Sequence, residues 1–249
     1  MHNYEVEIKV LLWDESQKDI FISKVEESFP SLSHSYSESQ KNHYFEWGSL
    51  EWLLSAFGPK VTHAERAKLE NIRDTAKSFS VRTRGTPTQT IIVVKATVND
   101  ESSSNGTARI EWEVDLAPMT LEDMDTNVLS AGFVYQAKWS REREWYMFKA
   151  PNKGFMYELS TEPQNKIQYD STTSVTLCLD KNAGYWYLAE FEMVIEDAEK
   201  VENVREFLLS IIESLGYDEL NQARLGRMFD FYNKNWREYY GTEKVFTLE

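Results

Sequence analysis

Acidic and basic residues recur in this chain at two-residue spacing. Glu5 and Glu7 precede Lys9 across Val6 and Ile8, and Arg82 and Arg84 flank Thr83. Lys95 ends the apolar run Ile91-Ile92-Val93-Val94, and Arg109, Glu111 and Glu113 alternate with Ile110 and Trp112. Arg141 and Arg143 flank Glu142, and Glu190 and Glu192 flank Phe191. In a strand, residues two apart share a face, so each group is the charged side of a strand whose other side is apolar. One such strand is ordinary, because antiparallel sheets often have a wet side and a buried side. The set is less ordinary: its pairs are purely acidic or purely basic, and the opposite faces are apolar enough to need cover.

Charges on one face of a sheet covered by helices on the other line an interior, and a closed sheet of this kind encloses a charged cavity. Carboxylates gathered there repel one another, as do the basic groups. Both sets become tolerable when a divalent cation joins the acids and a polyanion joins the bases. Oxygen donors without a cysteine cluster favour Mg²⁺ or Mn²⁺ over Zn²⁺. Six or seven Arg and Lys with four or five Glu match a metal-bound triphosphate, whose charge they neutralise during P–O cleavage.

The elements that must position these groups follow from periodicity. Strands are predicted over residues 4–12, 79–84, 90–98, 107–116, about 133–149, 174–179 and 186–195, with a short extended piece at 44–47. Helices are predicted over 16–29, 62–77, 121–131, 198–216 and 218–239. Thr62 and Glu65 form a capping-box pattern, and Pro30 closes the first helix. Many antiparallel strands with a few helices make an α+β domain built on one large curved or closed sheet. A single domain spanning 1–249 is expected, with a helical insertion at about 47–77 and a C-terminal helical extension at about 198–240. The stretches 99–106 and 160–165 read as loops.

Composition excludes several classes. The 249 residues carry 41 Asp and Glu against 27 Lys and Arg, a formal charge of -14, which repels long nucleic acid and anionic lipid. Eight Trp, 13 Tyr and 13 Phe exclude a disordered acidic chain. No apolar run approaches the roughly 20 residues needed to cross a bilayer, and no secretion signal is visible at the start. The lone Cys178 cannot form an internal disulfide and reads as a small buried hydrophobe. A cytoplasmic setting is the expectation. His2, His34, His43 and His63 show no metal spacing and are expected at the surface.

The ordered series resembles the CYTH superfamily, the triphosphate tunnel metalloenzymes. Glu5-x-Glu7-x-Lys9 resembles its opening signature, Val81-Arg82-Thr83-Arg84 its Leu-Arg-x-Arg strand, and Ile92-Val93-Val94-Lys95 its strand ending in Lys. Arg109-Ile110-Glu111-Trp112-Glu113, Arg141-Glu142-Arg143, and Asp180, Gly184 and Glu190-Phe191-Glu192 resemble the later motifs in the same order. Tyr44-Phe45 fits the family's Tyr-Phe-Asp, with Glu46 in place of Asp. The match runs from about Tyr4 to Ile195. It implies a closed eight-stranded antiparallel β-tunnel with helices packed outside, a divalent metal (Mg²⁺ or Mn²⁺), and chemistry on a triphosphate.

The resemblance also implies roles. Glu5, Glu7, Glu190 and Glu192 would hold the metal. Glu111, with Glu113, would hold a second metal or position a water. Lys9, Arg82, Arg84, Lys95, Arg109, Arg141 and Arg143 would grip phosphate oxygens, Arg by its planar fork and Lys as a point charge. Lys9, Glu111 and Glu113 are the expected catalytic residues. Lys138 is at odd spacing from Arg141 and faces outward unless a bulge intervenes. Family members devoted to thiamine triphosphate carry a Trp where Ser80 stands, and cyclising members show an upstream His-Phe pair absent here. Metal-dependent hydrolysis of inorganic triphosphate is therefore the first expectation. An adenylyl cyclase, a thiamine triphosphatase and a non-catalytic polyphosphate binder are the alternatives. The expected partner is a small triphosphate, with neither long nucleic acid nor membrane, on a monomer or homodimer.

Overall fold

The computed structural model describes residues 4–97, 110–149, 174–182 and 184–248. Arg109 and the two loop stretches anticipated at 99–106 and 160–165 lie outside them. Eight antiparallel strands form one sheet: β1 (Tyr4–Leu12), β2 (Ser33–Glu46), β3 (Ser78–Gly85), β4 (Thr90–Thr97), β5 (Ile110–Asp115), β6 (Val134–Lys149), β7 (Ser174–Asn182) and β8 (Tyr187–Ile195). Their order across the sheet is β1-β8-β7-β6-β2-β3-β4-β5.

Among the described residues six α-helices cover it: α1 (Glu15–Ser28), α2 (Leu50–Phe57), α3 (His63–Thr75), α4 (Leu121–Ser130), α5 (Val201–Ser214) and α6 (Gln222–Tyr239). Strand alternation decides which side they take. Val6, Ile8, Val10 and Leu12 turn outward and are buried with Phe21 and Val25 of α1 and Phe207, Leu208 and Ile211 of α5. Val81, Ile92, Val94, Trp112 and Val114 turn outward under α2, α3 and α4. Burying each such side chain stabilises the fold by roughly 1.5–3 kcal/mol, so these two apolar layers fix which face of every strand is left for charge. The insertion at 47–77 folds as α2, a short 3-10 turn at Gly58–Lys60, and α3, and it covers the outer face of the sheet. Its capping box is present: the Thr62 amide donates to Glu65 Oε2 at 2.8 Å, and the Glu65 amide donates to Thr62 Oγ1 at 3.3 Å. Trp112 Nε1 donates to the Glu65 carbonyl at 2.9 Å, tying α3 to β5.

The expectation of a closed tunnel is corrected. Strand number, antiparallel pairing and outer helices are as expected, but the sheet is open: among the described residues no ladder joins β1 to β5, and these two strands are its edges. The sheet nevertheless curls strongly. Lys95 Nζ on β4 lies 2.6 Å from Glu5 Oε2 on β1, whereas six strand spacings in a flat sheet would separate those strands by roughly 29 Å. The edges are therefore approached by charged side chains, a common way of protecting an edge without backbone pairing.

The strand expected only at 44–47 is in fact the 14-residue β2, the longest neighbour of β6. The last helix crosses one end of the concave face. Leu225, Met228 and Tyr232 of α6 pack there on Ala137, Trp139 and Leu188. The rings of Trp139 and Tyr232 stack with centroids 3.6 Å apart. Among the described residues no helix is long and apolar enough to cross a membrane.

Candidate functional site: an acidic and a basic patch on one concave face

The concave face is assembled by register. Glu7 stands opposite Glu192, and Lys9 opposite Glu190, across the β1–β8 ladder. Arg143 pairs with Asp180 across β6–β7 and with Glu38 across β6–β2. Arg82 stands opposite Tyr44, and Arg84 opposite Asn42, across β2–β3. Lys95 stands opposite Glu111 across β4–β5. Residues from every strand of the sheet thus meet on one side of it.

At the centre lies Asp180, 1% exposed, which accepts from both Arg141 and Arg143. Arg143 also donates to Glu190. Glu190 continues the chain to Lys9 at 3.3 Å, and Lys9 reaches Glu7 at 2.7 Å. Burial opposes charge on Lys9, but Glu190 and Glu7 overcome it and hold the ammonium above its usual range. Burial likewise opposes charge on Glu190, and Lys9, Arg143 and Arg141 hold it well below the carboxylate range. These groups are compensated, in the way buried charges must be.

Two places are not. Glu192 is pushed up to about 7, first by burial and then by the like charges of Glu5 and Glu190. Carboxylates directly opposite on neighbouring strands, as Glu7 and Glu192 are, destabilise a sheet unless something neutralises them. On the other side, Arg84 is pushed down to about 10 by burial and by the like charges of Arg82 and Arg141. Its nearest acid is Glu113 at 3.9 Å, and its neutral partner is Asn42 Oδ1 at 3.2 Å. Arg82 donates to the Tyr44 hydroxyl at 3.2 Å and lies 3.9 Å from Glu111, and among the described residues its buried Nε has no partner. Among the described residues, the concave face therefore has an acidic patch short of a cation and a basic patch short of an anion.

The donor set tests the fit of a metal. Glu5, Glu7 and Glu192 supply only hard oxygens, and Glu192 carries the mark of unrelieved carboxylate repulsion, which suits Mg²⁺ or Mn²⁺. Yet no three acids, His or Cys among the described residues converge on one point; Glu5 is engaged by Lys95 and Glu7 by Lys9. The set fits such an ion in charge and donor type, with these two lysines as its competitors.

Lys138 faces α4, 3.9 Å from Asp125 and 4.1 Å from the Tyr135 ring centroid, on the outer side expected without a bulge. His43, expected at the surface, is buried: Nδ1 lies 2.7 Å from Asp125 and Nε2 2.8 Å from the Tyr240 hydroxyl. Two residues join the site that were not expected there: Gln40, which accepts from Arg141 at 2.8 Å, and Asn42, both on the concave side of β2. The two-residue spacing Glu38, Gln40, Asn42, Tyr44 was the available signal.

No protein-family model matches the chain, and no curated protein does. Solved structures do. The PH1819 protein from Pyrococcus horikoshii OT3 superposes with a TM-score of 0.53 at 18% identity, covering 88% of this chain and 94% of that one. A candidate adenylate cyclase from Vibrio parahaemolyticus superposes with a TM-score of 0.52 at 13% identity, covering 89% and 95%. HpAC1 from Hippeastrum, described as a candidate adenylyl cyclase with a dominant triphosphatase activity, superposes more loosely, with a TM-score of 0.47 at 13% identity over 93% and 96%. Identities this low speak for the fold and nothing finer. The eight-stranded antiparallel sheet with its outer helices is therefore a fold shared with the Pyrococcus and Vibrio structures.

Proposed function

We propose that the concave face binds a triphosphate and hydrolyses it with the help of a divalent cation. The observation that carries this reading is Arg84, a buried guanidinium beside Arg82 and Arg141 whose acid neighbour, Glu113, is 3.9 Å away; burial first and those like charges next push it down to about 10. A chain with a net charge of -14 has gathered these cations where the fold buries them.

In this reading Arg82, Arg84 and Arg141 clamp phosphate oxygens, with Lys95 and Arg143 flanking them, and their charge is aimed where P–O cleavage places negative charge. Arg suits this role by its fork of donors. Lys9 is held charged by Glu7 and Glu190, so it acts as a fixed cation and not as a proton acceptor. Glu111, 3.3 Å from Lys95, orients that ammonium and in this reading would position the attacking water. Glu5, Glu7 and Glu192, with Glu190 behind them, would hold Mg²⁺ or Mn²⁺. Once bound, the ion would supply charge neutralisation at the phosphates and an acidified water. Asp180 positions Arg141 and Arg143 without touching substrate.

Phosphate release from inorganic triphosphate, ATP, GTP and thiamine triphosphate, each with Mg²⁺ and with Mn²⁺, tests the reading. Release from at least one, lost in Arg84→Gln, is expected; no release from any of them under either metal contradicts it. The Vibrio neighbour favours a second reading, conversion of ATP to cyclic AMP and pyrophosphate. The same ATP reactions decide it, since cyclic AMP forms only under that alternative.

A further inference from the structure

Beyond Arg143 the concave face ends in aromatic rings. Trp145 is two residues past Arg143 on β6, about 6.7 Å along the strand, and shares its face. Tyr36 of β2 stands opposite Trp145 in register, and the two rings are stacked, with centroids 4.3 Å apart and planes 19° from parallel. The Arg143 guanidinium lies 5.5 Å from the Trp145 ring centroid. The hydroxyl of Tyr36 is raised by burial and Glu38, while Arg143 and Arg84 pull it the other way, so its tip is within the field of the basic patch.

The stack is open on one side. Tyr36 is 51% exposed. β3 pairs with β2 only over Lys41–Phe45, so among the described residues no strand flanks Tyr36 on the side away from β6. The opposite end of the same face is filled by α6 through Trp139 and Tyr232. A cross-strand aromatic pair steadies a ladder on its own. Two features go beyond steadying it. Tyr36 is half exposed with no strand of the described residues beside it on the side away from β6, and the pair stands in line with Arg143 and Arg141 at the spacing of successive strand positions.

We propose that Tyr36 and Trp145 form a stacking platform for a planar heteroaromatic ring carried by the triphosphate, so that the substrate is an organic triphosphate and not the inorganic one. The ring lies on the exposed face of Tyr36, a sugar-sized spacer covers the step to Arg143, and the phosphates run on towards Arg141 and Arg84. This rests on the triphosphate reading above and replaces the sequence-based expectation of inorganic triphosphate.

Binding calorimetry in Mg²⁺ tests it, with ATP, thiamine triphosphate and inorganic triphosphate as probes and Tyr36→Leu, Tyr36→Phe and the double variant Tyr36→Leu/Trp145→Leu as proteins. Loss of a ring–aromatic stack weakens affinity by at least about fivefold. Tyr36→Leu is expected to weaken the ring-bearing ligand by that factor or more, the double variant further, while Tyr36→Phe retains binding and inorganic triphosphate binds all four proteins alike. Which of ATP and thiamine triphosphate responds identifies the ring. Equal weakening of ring-bearing and inorganic ligands, or no weakening of either, overturns the platform. Binding of inorganic triphosphate alone by the unaltered protein overturns it too and leaves the triphosphate reading standing. Binding of none of the three sinks both.

Discussion

The acidic and basic patches face each other across one curled sheet, and their buried members differ in how they are neutralised. Glu190 and Arg143 are each other's counter-ions, with Lys9 and Asp180 completing the chain, and both are displaced towards the charged form. Glu192 and Arg84 are displaced towards the neutral form, and for both the causes are burial first and like charges second. Burial is therefore not what separates the two kinds of group; the sign of the neighbours is. A fold can keep the first kind for its own cohesion. The second kind opposes folding while it stays charged, so under the proposed reading these two residues are where a cation and an anion would bind.

Breaking the compensated set should produce the largest effect on stability. Arg143→Met removes the guanidinium shared by Asp180 and Glu190. Breaking a buried pair typically costs 3–5 kcal/mol, and Arg141 and Lys9 still hold the two acids, so the low end, about 3 kcal/mol, is expected. A urea titration read by far-UV circular dichroism measures it. A midpoint shift worth under about 1 kcal/mol on the same scale would show that the chain of pairs carries little of the fold.

Arg84→Gln probes the uncompensated side and should behave oppositely. Removing a crowded cation should leave the denaturation midpoint unchanged or slightly higher. Triphosphate affinity should fall more than about tenfold, the equivalent of a lost charge-assisted contact. Calorimetry and the urea titration on one preparation give both numbers. A variant that unfolds readily yet binds normally would place Arg84 with the structural pairs and erase the distinction.

Much of this arrangement was legible in the chain, because strand alternation is a local signal. Glu5, Glu7 and Lys9, Arg82 and Arg84, and Glu190 and Glu192 all lie on the concave side, since Val6 and Ile8, Val81, and Phe191 had to turn outward into apolar layers. The long β2 was not legible beyond its last residues. Its sequence, SHSYSESQKNHYFE, lacks an apolar side over most of its length, because its inner face meets Arg84 and Arg141 and much of its outer face is exposed. The open edge was also hidden. Alternation tells which way a side chain points, while closure depends on a ladder between strands more than a hundred residues apart. His43 was misplaced for the same reason: its partners Asp125 and Tyr240 come from α4 and from beyond α6.

The acidic patch has its own test in pH. The Glu192 carboxyl is raised from 4.5 to about 7 in the folded chain, so between those values the native state binds more protons than the unfolded one. Stability from this group is fully present below about 4.5 and is lost as pH rises through 7. Thermal melts from pH 5 to pH 8 should therefore show a decline that Glu192→Gln flattens. Mg²⁺ or Mn²⁺ should raise the melting temperature at pH 8 in the unaltered protein and much less in the variant. A pH profile identical in the two proteins would remove Glu192 from the set of groups awaiting a cation.

The smallest effect separates the two patches most finely. The Tyr44 hydroxyl is the neutral acceptor beside Arg82: it accepts a hydrogen bond from Arg82 at 3.2 Å, and among the described residues Arg82 Nε lacks a partner. Burial disfavours the Tyr44 phenolate, yet Arg82 and Arg141 draw its titration below the ordinary range, so the hydroxyl oxygen sits in a strongly positive field. Tyr44→Phe removes that acceptor and leaves the ring, and with it the Arg82 guanidinium 5.9 Å from the ring centroid. A hydrogen bond to a charged group contributes about 1.5–3 kcal/mol, and at 3.2 Å the loss should lie near the low end, about 1.5 kcal/mol. An anion bound beside Arg82 should recover part of it, so saturating triphosphate should raise the melting temperature of the Phe variant by more than that of the unaltered protein. Equal increments would mean that the ligand's oxygens never take the place of the Tyr44 hydroxyl, and that the bound phosphates stop short of Arg82.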